Sequence, residues 1–570
     1  MFYKLLIIFL LLISFGCSHI QQKPNLEEFT LNITIEHLSN RDAWRVTFRT
    51  SQPTSKLVFN RQINKFRFKN WRVLTPQTSI IEKNGKEQIF STIPFQKVSV
   101  EFDSYYETTP KDYEFFQAFS DKSVVMYTGH INACPEDKEC NRPVEFHFIP
   151  RTNEQGIISG KIFNRAFDWK DETSKGTYVY WGNINPVETN YLTAVIDPNL
   201  PTWLLDKFNL LLPSLFKYYA ERTGEPLTWK PFVFLNYLAK GEGNNSGGGT
   251  LPGLIQLSLE GKGSNKPDDE SFIDLAKFFA HEAAHIWNGQ LFPYVTSDMW
   301  MHEGGADAFA YFALSDLKFI NQKKFLDYQT EAFNRCLSKL KNRPLWDVKE
   351  DPNFRAHYHC GAMLALLTHA GVSKMNKKYN LFYFWNQIFE EVKASKKPYT
   401  EELYFSILDR IVENKELSGT IKRLLKGPLT NAKDIYLQEF KKLNVKIVNS
   451  KNKFPRDYIK RMGRDILQRL MSMDCGGKYS LSSGKDGIQT DSFNTCGIFN
   501  RPFYITHIND VPIIFSGAMA YEKVKKVCRT KGSKILLTVH EVKSKVVVNC
   551  PESILDREPY YNIMNVPFGN

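Results

Sequence analysis

The chain has 570 residues, 42% of them hydrophobic and 14% aromatic, too many for one compact core and too apolar for a disordered chain, so roughly two to four domains are expected. Its formal charge of +13 comes from lysines scattered among acids without a continuous arginine-rich stripe. That pattern argues against nucleic acid as a partner and leaves a solvated surface with some attraction for anionic headgroups. No internal repeat or low-complexity tract interrupts it.

The first residues, MFYKLLIIFLLLISFGCSH, carry one cation, an apolar run from Leu5 to Ile13, then small residues and Cys17. The run is too short to span a bilayer and reads as a secretory signal over residues 1–17. Cys17 directly after Gly16 resembles a bacterial lipoprotein signal. That resemblance implies lipidation of Cys17 and an extracytoplasmic chain anchored to a bacterial membrane, at the outer membrane or cell surface. Ser14 and Phe15 depart from the usual pattern, so ordinary cleavage near Gly16 or Ser18 with a soluble product remains the alternative.

Residues 18–195 hold alternating runs such as FTLNITIEH, WRVTFRT, VSVEF and YVYWG, separated by Asn, Pro and Gly, which predicts a β-sandwich-rich N-terminal domain. From NLPTWLLDKFNLLLPSLFKYYAERTG onward helical periodicity dominates to about residue 445, interrupted by the strand candidate WKPFVFLNYL. NNSGGGTLPG reads as a flexible loop leading into a short strand, LIQLSL. Residues 455–560 return to short strands around one helix. Beyond Cys17 the cysteines fall as four local couples, Cys134 with Cys140, Cys336 with Cys360, Cys475 with Cys496, and Cys528 with Cys550. An even count in an exported chain reads as disulfides, and short loops favour the sequential pairing. The close CxxC spacing of a cysteine metal site is absent.

The chemistry is concentrated in DDESFIDLAKFFAHEAAHIWNG and WMHEGGADAFAYFAL. The first begins with acids and ends at Gly289, as a buried helix would. His281 and His285 lie one turn apart on one face, at a separation suited to one zinc ion. Glu282 is rotated roughly 100° from them, beside the metal rather than on it, where it can take a proton from an activated water. Glu303 follows His285 after seventeen intervening residues and can supply a third ligand, leaving a fourth position open. Asp307, one turn further, is placed to accept a hydrogen bond from a ligand histidine. His302 points elsewhere on its helix and is read as a lining residue.

These segments resemble the gluzincin metallopeptidases, specifically the aminopeptidase N-like and glycyl-aminopeptidase-like families. HYHCGAMLAL looks like their Y-x-x-G-A helix, so Tyr358 would be the tyrosine that donates to the developing oxyanion. GGGTLPGLI looks like the strand along which substrate lies, making Gly248, Gly249 and Thr250 substrate-binding. The resemblance implies a thermolysin-like α+β catalytic domain over residues 196–445, one Zn2+ per chain, and a peptide or protein substrate. Two features depart from it. The His285–Glu303 spacing is one residue shorter than usual. Thr250 also stands where the family's glutamate grips a free amine, leaving Glu242 on the adjacent loop as the alternative acid.

FYITHINDVPIIFSGAMAYEKVKKVCRTKGSKILLTVHEV looks like the latter half of a PDZ domain, placed over residues 455–560, with a helix from about Gly517 to Cys528. PDZ domains bind extended peptides by strand addition, so the module is either a peptide binder or a packing unit. Two functions follow: a lipid-anchored zinc peptidase, or an inactive peptidase-like surface protein that binds partners through its PDZ-like module.

Overall fold

The computed structural model describes residues 29–567 except 63–64, 105–112, 136–142, 174, 241–244, 341, 349–354, 451–455, 476–478, 485, 492–495, 531, 541–544 and 552–559. The signal segment with Cys17, and also Cys140 and Glu242, lie outside the described residues. No described helix is long and apolar enough to cross a membrane. The chain divides into two compact units, the first formed by residues 1–116, 125–156 and 162–181, the second by 117–124, 157–161 and 182–570.

Alternation builds the first unit. Leu31–His37 turns Leu31, Ile33 and Ile35 inward and pairs antiparallel with Ala43–Phe59, setting Ile33 opposite Phe48 and Ile35 opposite Val46. Its other edge pairs in parallel with Val144–Ile149, and Lys86–Asp103 extends the sheet beyond Ala43–Phe59. The expected strand-rich N-terminal region is present. Inside it Arg67 is fully buried, ion-paired with Glu87 at 2.7 Å and donating from Nε and an amino group to the carbonyl of His130 at 3.0 and 2.7 Å.

The second unit opens with parallel neighbours Thr193–Ile196, Phe232–Leu238 and Leu254–Glu260, whose buried, β-branched and aromatic runs suit a sheet covered on both faces. The outer strand is Asn245–Leu251, antiparallel to Leu254–Glu260. This corrects the loop expectation for NNSGGGTLPG. Composition alone marks glycines as loop, but Gly253 at φ +73° closes a tight hairpin and cross-strand pairing holds the glycines extended.

Five helices place the site: α1 (Thr202–Thr223), α2 (Asp269–His285), α3 (Met299–Asp316), α4 (Gln322–Leu340) and α5 (Ala356–Met375). The Asp268 side chain caps α2 by accepting from Glu270 N at 3.2 Å, and two acids follow in the first turn. Tyr219 of α1 donates to the carbonyl of Ala280 at 2.8 Å, tying α1 to α2 just before the histidines. A disulfide between Cys336 and Cys360 links α4 to α5 as expected, and Cys475–Cys496 and Cys528–Cys550 also form. Cys134 is disulfide-bonded.

Residues beyond 455 hold two helices, α6 (Arg456–Asp474) and α7 (Gly517–Val527), where the sequence reading expected one. The buried Met462, Ile466, Leu467, Leu470 and Met471 show the helical spacing that marks α6. These helices and the strands Ser480–Ser483, Ile488–Asp491, Phe503–Ile508 and Lys534–Val539 enclose a core separate from that around α1–α5. The chain then returns: Tyr560–Ile563 pairs with Ile447–Ser450, and Tyr561 and Ile563 join the core of the helical region. Asn334 of α4 clamps this return, donating to Tyr561 O at 2.8 Å and accepting from Tyr561 N at 3.0 Å. Asn334→Leu therefore strands two buried backbone groups at about 1–3 kcal/mol each. Denaturant titration should show that loss although the tail lies 227 residues away in sequence.

Candidate metal centre

Helix α2 presents His281 and His285 on one face, and α3 presents Glu303 and Asp307 on the face opposite. The two Nε2 atoms are 3.0 Å apart, and Glu303 Oε2 is 3.2 Å from the first and 3.4 Å from the second. All three side chains are buried. Their outer atoms settle the protons. Asp307 Oδ1 can only accept, so the His281 Nδ1–H donates to it at 3.0 Å. The Asn288 amide donates to His302 O at 2.8 Å, which turns its Oδ1 toward the His285 Nδ1–H at 3.2 Å. Both Nε2 lone pairs are thereby aimed inward at each other and at a carboxylate.

Three electron-pair donors converging out of water need a cation or a proton between them. Without an ion, a proton fills that place. Burial works against charge on His281, but hydrogen bonds to Asp307 and Glu303 outweigh it and push the imidazole up to about 10. Burial would raise Glu303, yet the two histidines hold it well below the usual carboxylate range. Burial likewise acts upward on Asp307, and the field of Lys277 with the His281 hydrogen bond brings it far down. Two imidazoles, one ionised carboxylate and an outer carboxylate suit zinc in ligand type and number.

Glu282 lies off this cluster, as its place on the helix requires. Thr250 Oγ1 donates to Glu282 Oε2 at 2.5 Å, with the Glu282 carbonyl oxygen 3.1 Å from the same hydroxyl. The outer strand thus reaches the carboxylate beside the metal ligands. Gly248 is needed there for space, because a Cβ would lie 2.1 Å from Gln256 O. Gly249 pairs with Gln256 in the same ladder. Tyr358, on the first turn of α5, stacks on His281 with centroids 5.7 Å apart. Burial and then the adjacent Glu303 carboxylate raise its phenol above the usual range, so it stays a donor at any working pH.

His302 does line the site, more closely than expected. Its ring lies 4.1 Å from that of His285 and stacks on Tyr294 at 3.9 Å, with Nδ1–H donating to Asn288 O at 3.0 Å. Burial and the neighbouring His285 bring it down to about 3, so it stays neutral. Asn288 and Gln290 escaped the sequence reading. Both sit in the π-turn Ile286–Leu291 that ends the histidine helix, and Gln290 ties this turn to the hairpin through Leu251 O at 2.9 Å and Gly253 N at 2.8 Å. Their only signal was the Asn-Gly pair after the motif.

The crossing of α3 and α5 sets the distance between Glu303 and Tyr358. A Cβ on Gly361 would meet Trp300 O at 2.3 Å and Gly304 Cα at 2.8 Å, backbone atoms that cannot swing aside. Gly361→Ala should push the helices apart and cut turnover roughly a hundredfold, the cost of an ångström of misplacement. Metal content measured on the same sample should be unchanged.

The fold has a solved counterpart. Over 95% of this chain and 97% of the other, the fold is similar to the crystal structure of an aminopeptidase N family protein from Idiomarina loihiensis, with a TM-score of 0.58 and 12% identity. The fold is aminopeptidase-like. No family model matches the chain, and no curated protein matches it. At that identity the likeness concerns architecture, a strand-rich region followed by an α+β helical one, and the chemistry rests on the residues described above.

Proposed function

We propose that this chain is an exported zinc metallopeptidase of the gluzincin type, lipid-anchored through Cys17, with a peptide or protein as substrate. The observation that carries it is the convergence of His281, His285 and Glu303 beside a Glu282 carboxylate that is not itself a ligand. In this reading residues 18–195 form the β-rich domain, 196–445 the thermolysin-like catalytic domain, and 455–560 a PDZ-like module.

One Zn2+ held by His281, His285 and Glu303 would supply Lewis-acid chemistry, polarising a carbonyl and acidifying a water. Glu282 takes the proton of the attacking water and returns it to the leaving amine. Thr250 orients that carboxylate by its hydroxyl. Tyr358 donates to the scissile carbonyl oxygen as negative charge develops there. Asp307 and Asn288 hold the two imidazoles in the tautomers that face inward. Helix α6 covers part of the C-terminal module, Arg464 donating to Leu481 O at 2.8 Å on its outermost strand, which favours packing over peptide capture there.

Thr250 also bears on specificity. A substrate ammonium enclosed beside the metal needs a carboxylate, and among the described residues Glu282, Glu303 and Asp307 are each already engaged, while Glu242, the alternative acid, lies outside them. A quenched peptide should therefore be cleaved comparably with a free or an acetylated amino terminus, and a chelator should abolish both reactions. A loss on capping of roughly a hundredfold, about 2.7 kcal/mol, would overturn the specificity claim. No turnover by metal-loaded protein across a peptide library would instead favour the inactive, partner-binding reading.

A further inference from the structure

Next to Tyr358 lies a cluster of cations that the reaction above does not use. The Cys336–Cys360 disulfide, with Cα atoms 4.7 Å apart, brings together the residues preceding each cysteine, Arg335 and His359. Arg355 begins the same helix, one turn before His359. Two enclosed nitrogens here, Arg335 Nε and His359 Nδ1, have no hydrogen-bond partner. Burial and then the nearby Arg335 keep the His359 ring neutral, down to about 3.

Arg464 of α6 joins the group from the other side. Burial lowers its guanidinium pKa, and the like charges of Arg335 and Arg355 lower it further, while Asp465 acts against them. Glu331 takes an amino group of Arg335 as an ion pair, and Leu481 O takes one from Arg464. Among the described residues Arg355 has no ion-pair partner. Among the described residues the three guanidiniums and Lys277 thus lie with Asp307, Glu331 and Asp465, four cations with three carboxylates. Counted over the described residues, one positive charge is in surplus beside two unpartnered donors, in a place where like charges repel.

We propose that Arg335, Arg355 and Arg464 around His359 form a recognition site for a carboxylate of the bound peptide, either its C-terminus or an acidic side chain. One surplus charge matches a carboxylate rather than a dianionic phosphate, and the guanidinium fork fits its two oxygens. His359 follows Tyr358 on α5 but is rotated about 100° around the helix, so the site would take an acid a few residues along the peptide from the scissile bond rather than beside it. The assignment rests on the peptidase reading for its ligand, but it is measured without turnover.

Metal-loaded Glu282→Gln protein is titrated calorimetrically with one pentapeptide in four forms: neutral and amidated, free C-terminal acid, amidated with an internal glutamate, and amidated with an internal phosphoserine. One carboxylate form should bind roughly tenfold more tightly than the neutral amide, and whichever gains identifies the source of the acid. Arg355→Gln or Arg464→Gln in the same background should bring that ratio to near one. Equal binding of all forms, a preference untouched by both substitutions, or tightest binding of the phosphopeptide would overturn the proposal. A carboxylate preference in a protein whose wild type turns over no peptide would leave this site standing and remove the peptidase reading.

Discussion

Glu282→Gln is expected to keep the metal and lose peptide turnover by roughly 10²–10⁴-fold. Glutamine preserves shape and can still meet the Thr250 hydroxyl, held at 2.5 Å in the native chain, but it cannot accept and return a proton. Because Glu282 is outside the convergent trio, metal analysis should read about one zinc per chain in both proteins. His285→Ala gives the opposite pattern: with two ligands left, zinc is lost and activity with it. Proton release provides an independent check. The ion displaces the proton that Asp307 and Glu303, against burial, hold on His281 up to about 10. Affinity should therefore climb about tenfold per pH unit through neutrality and level off near that value. A wild-type protein that neither carries nor takes up zinc, or a Glu282→Gln variant with native turnover, would sink the proposed mechanism.

Tyr358→Phe should lower kcat roughly 10²–10³-fold, about 2.7–4 kcal/mol, with little change in KM. The hydroxyl is the only group removed, while the ring keeps its stacking on His281 at 5.7 Å. The phenol is kept protonated by burial and by Glu303, so the defect should not be relieved at alkaline pH. An effect confined to KM would show that the hydroxyl binds ground state and transition state equally, against an oxyanion role. The Cys336–Cys360 bridge and the Gly304–Gly361 contact hold this residue from two directions. Unlike Tyr358→Phe, Gly361→Ala should disturb its position without touching its chemistry.

Much of the site was legible along the chain because helical geometry is local. An i, i+4 spacing sets His281 and His285 on one face whatever surrounds them, and the same rule aligns Glu303 with Asp307. Strand alternation likewise announced the N-terminal sheet. Composition alone failed where pairing overrides propensity. NNSGGGTLPG looked like a loop because propensity describes a segment without its neighbour, and Leu254–Glu260 is the neighbour that makes it a strand. Helix α6 carries its period in the sequence, with Met462, Ile466 and Leu470 each four residues apart on its buried face.

By itself, then, the sequence determined which side chains could form a metal centre and how each pair is spaced on its own helix, since 3.6 residues per turn leaves no choice. Only the tertiary structure decided that α2 and α3 face each other across 3.2–3.4 Å, that Thr250 reaches Glu282 from 32 residues away, and that Asn288 fixes the second imidazole. Such distances are set by how close two backbones come, through contacts such as Gly304 on Gly361 and Tyr219 on Ala280. Close packing of distant segments has no period to read in one dimension.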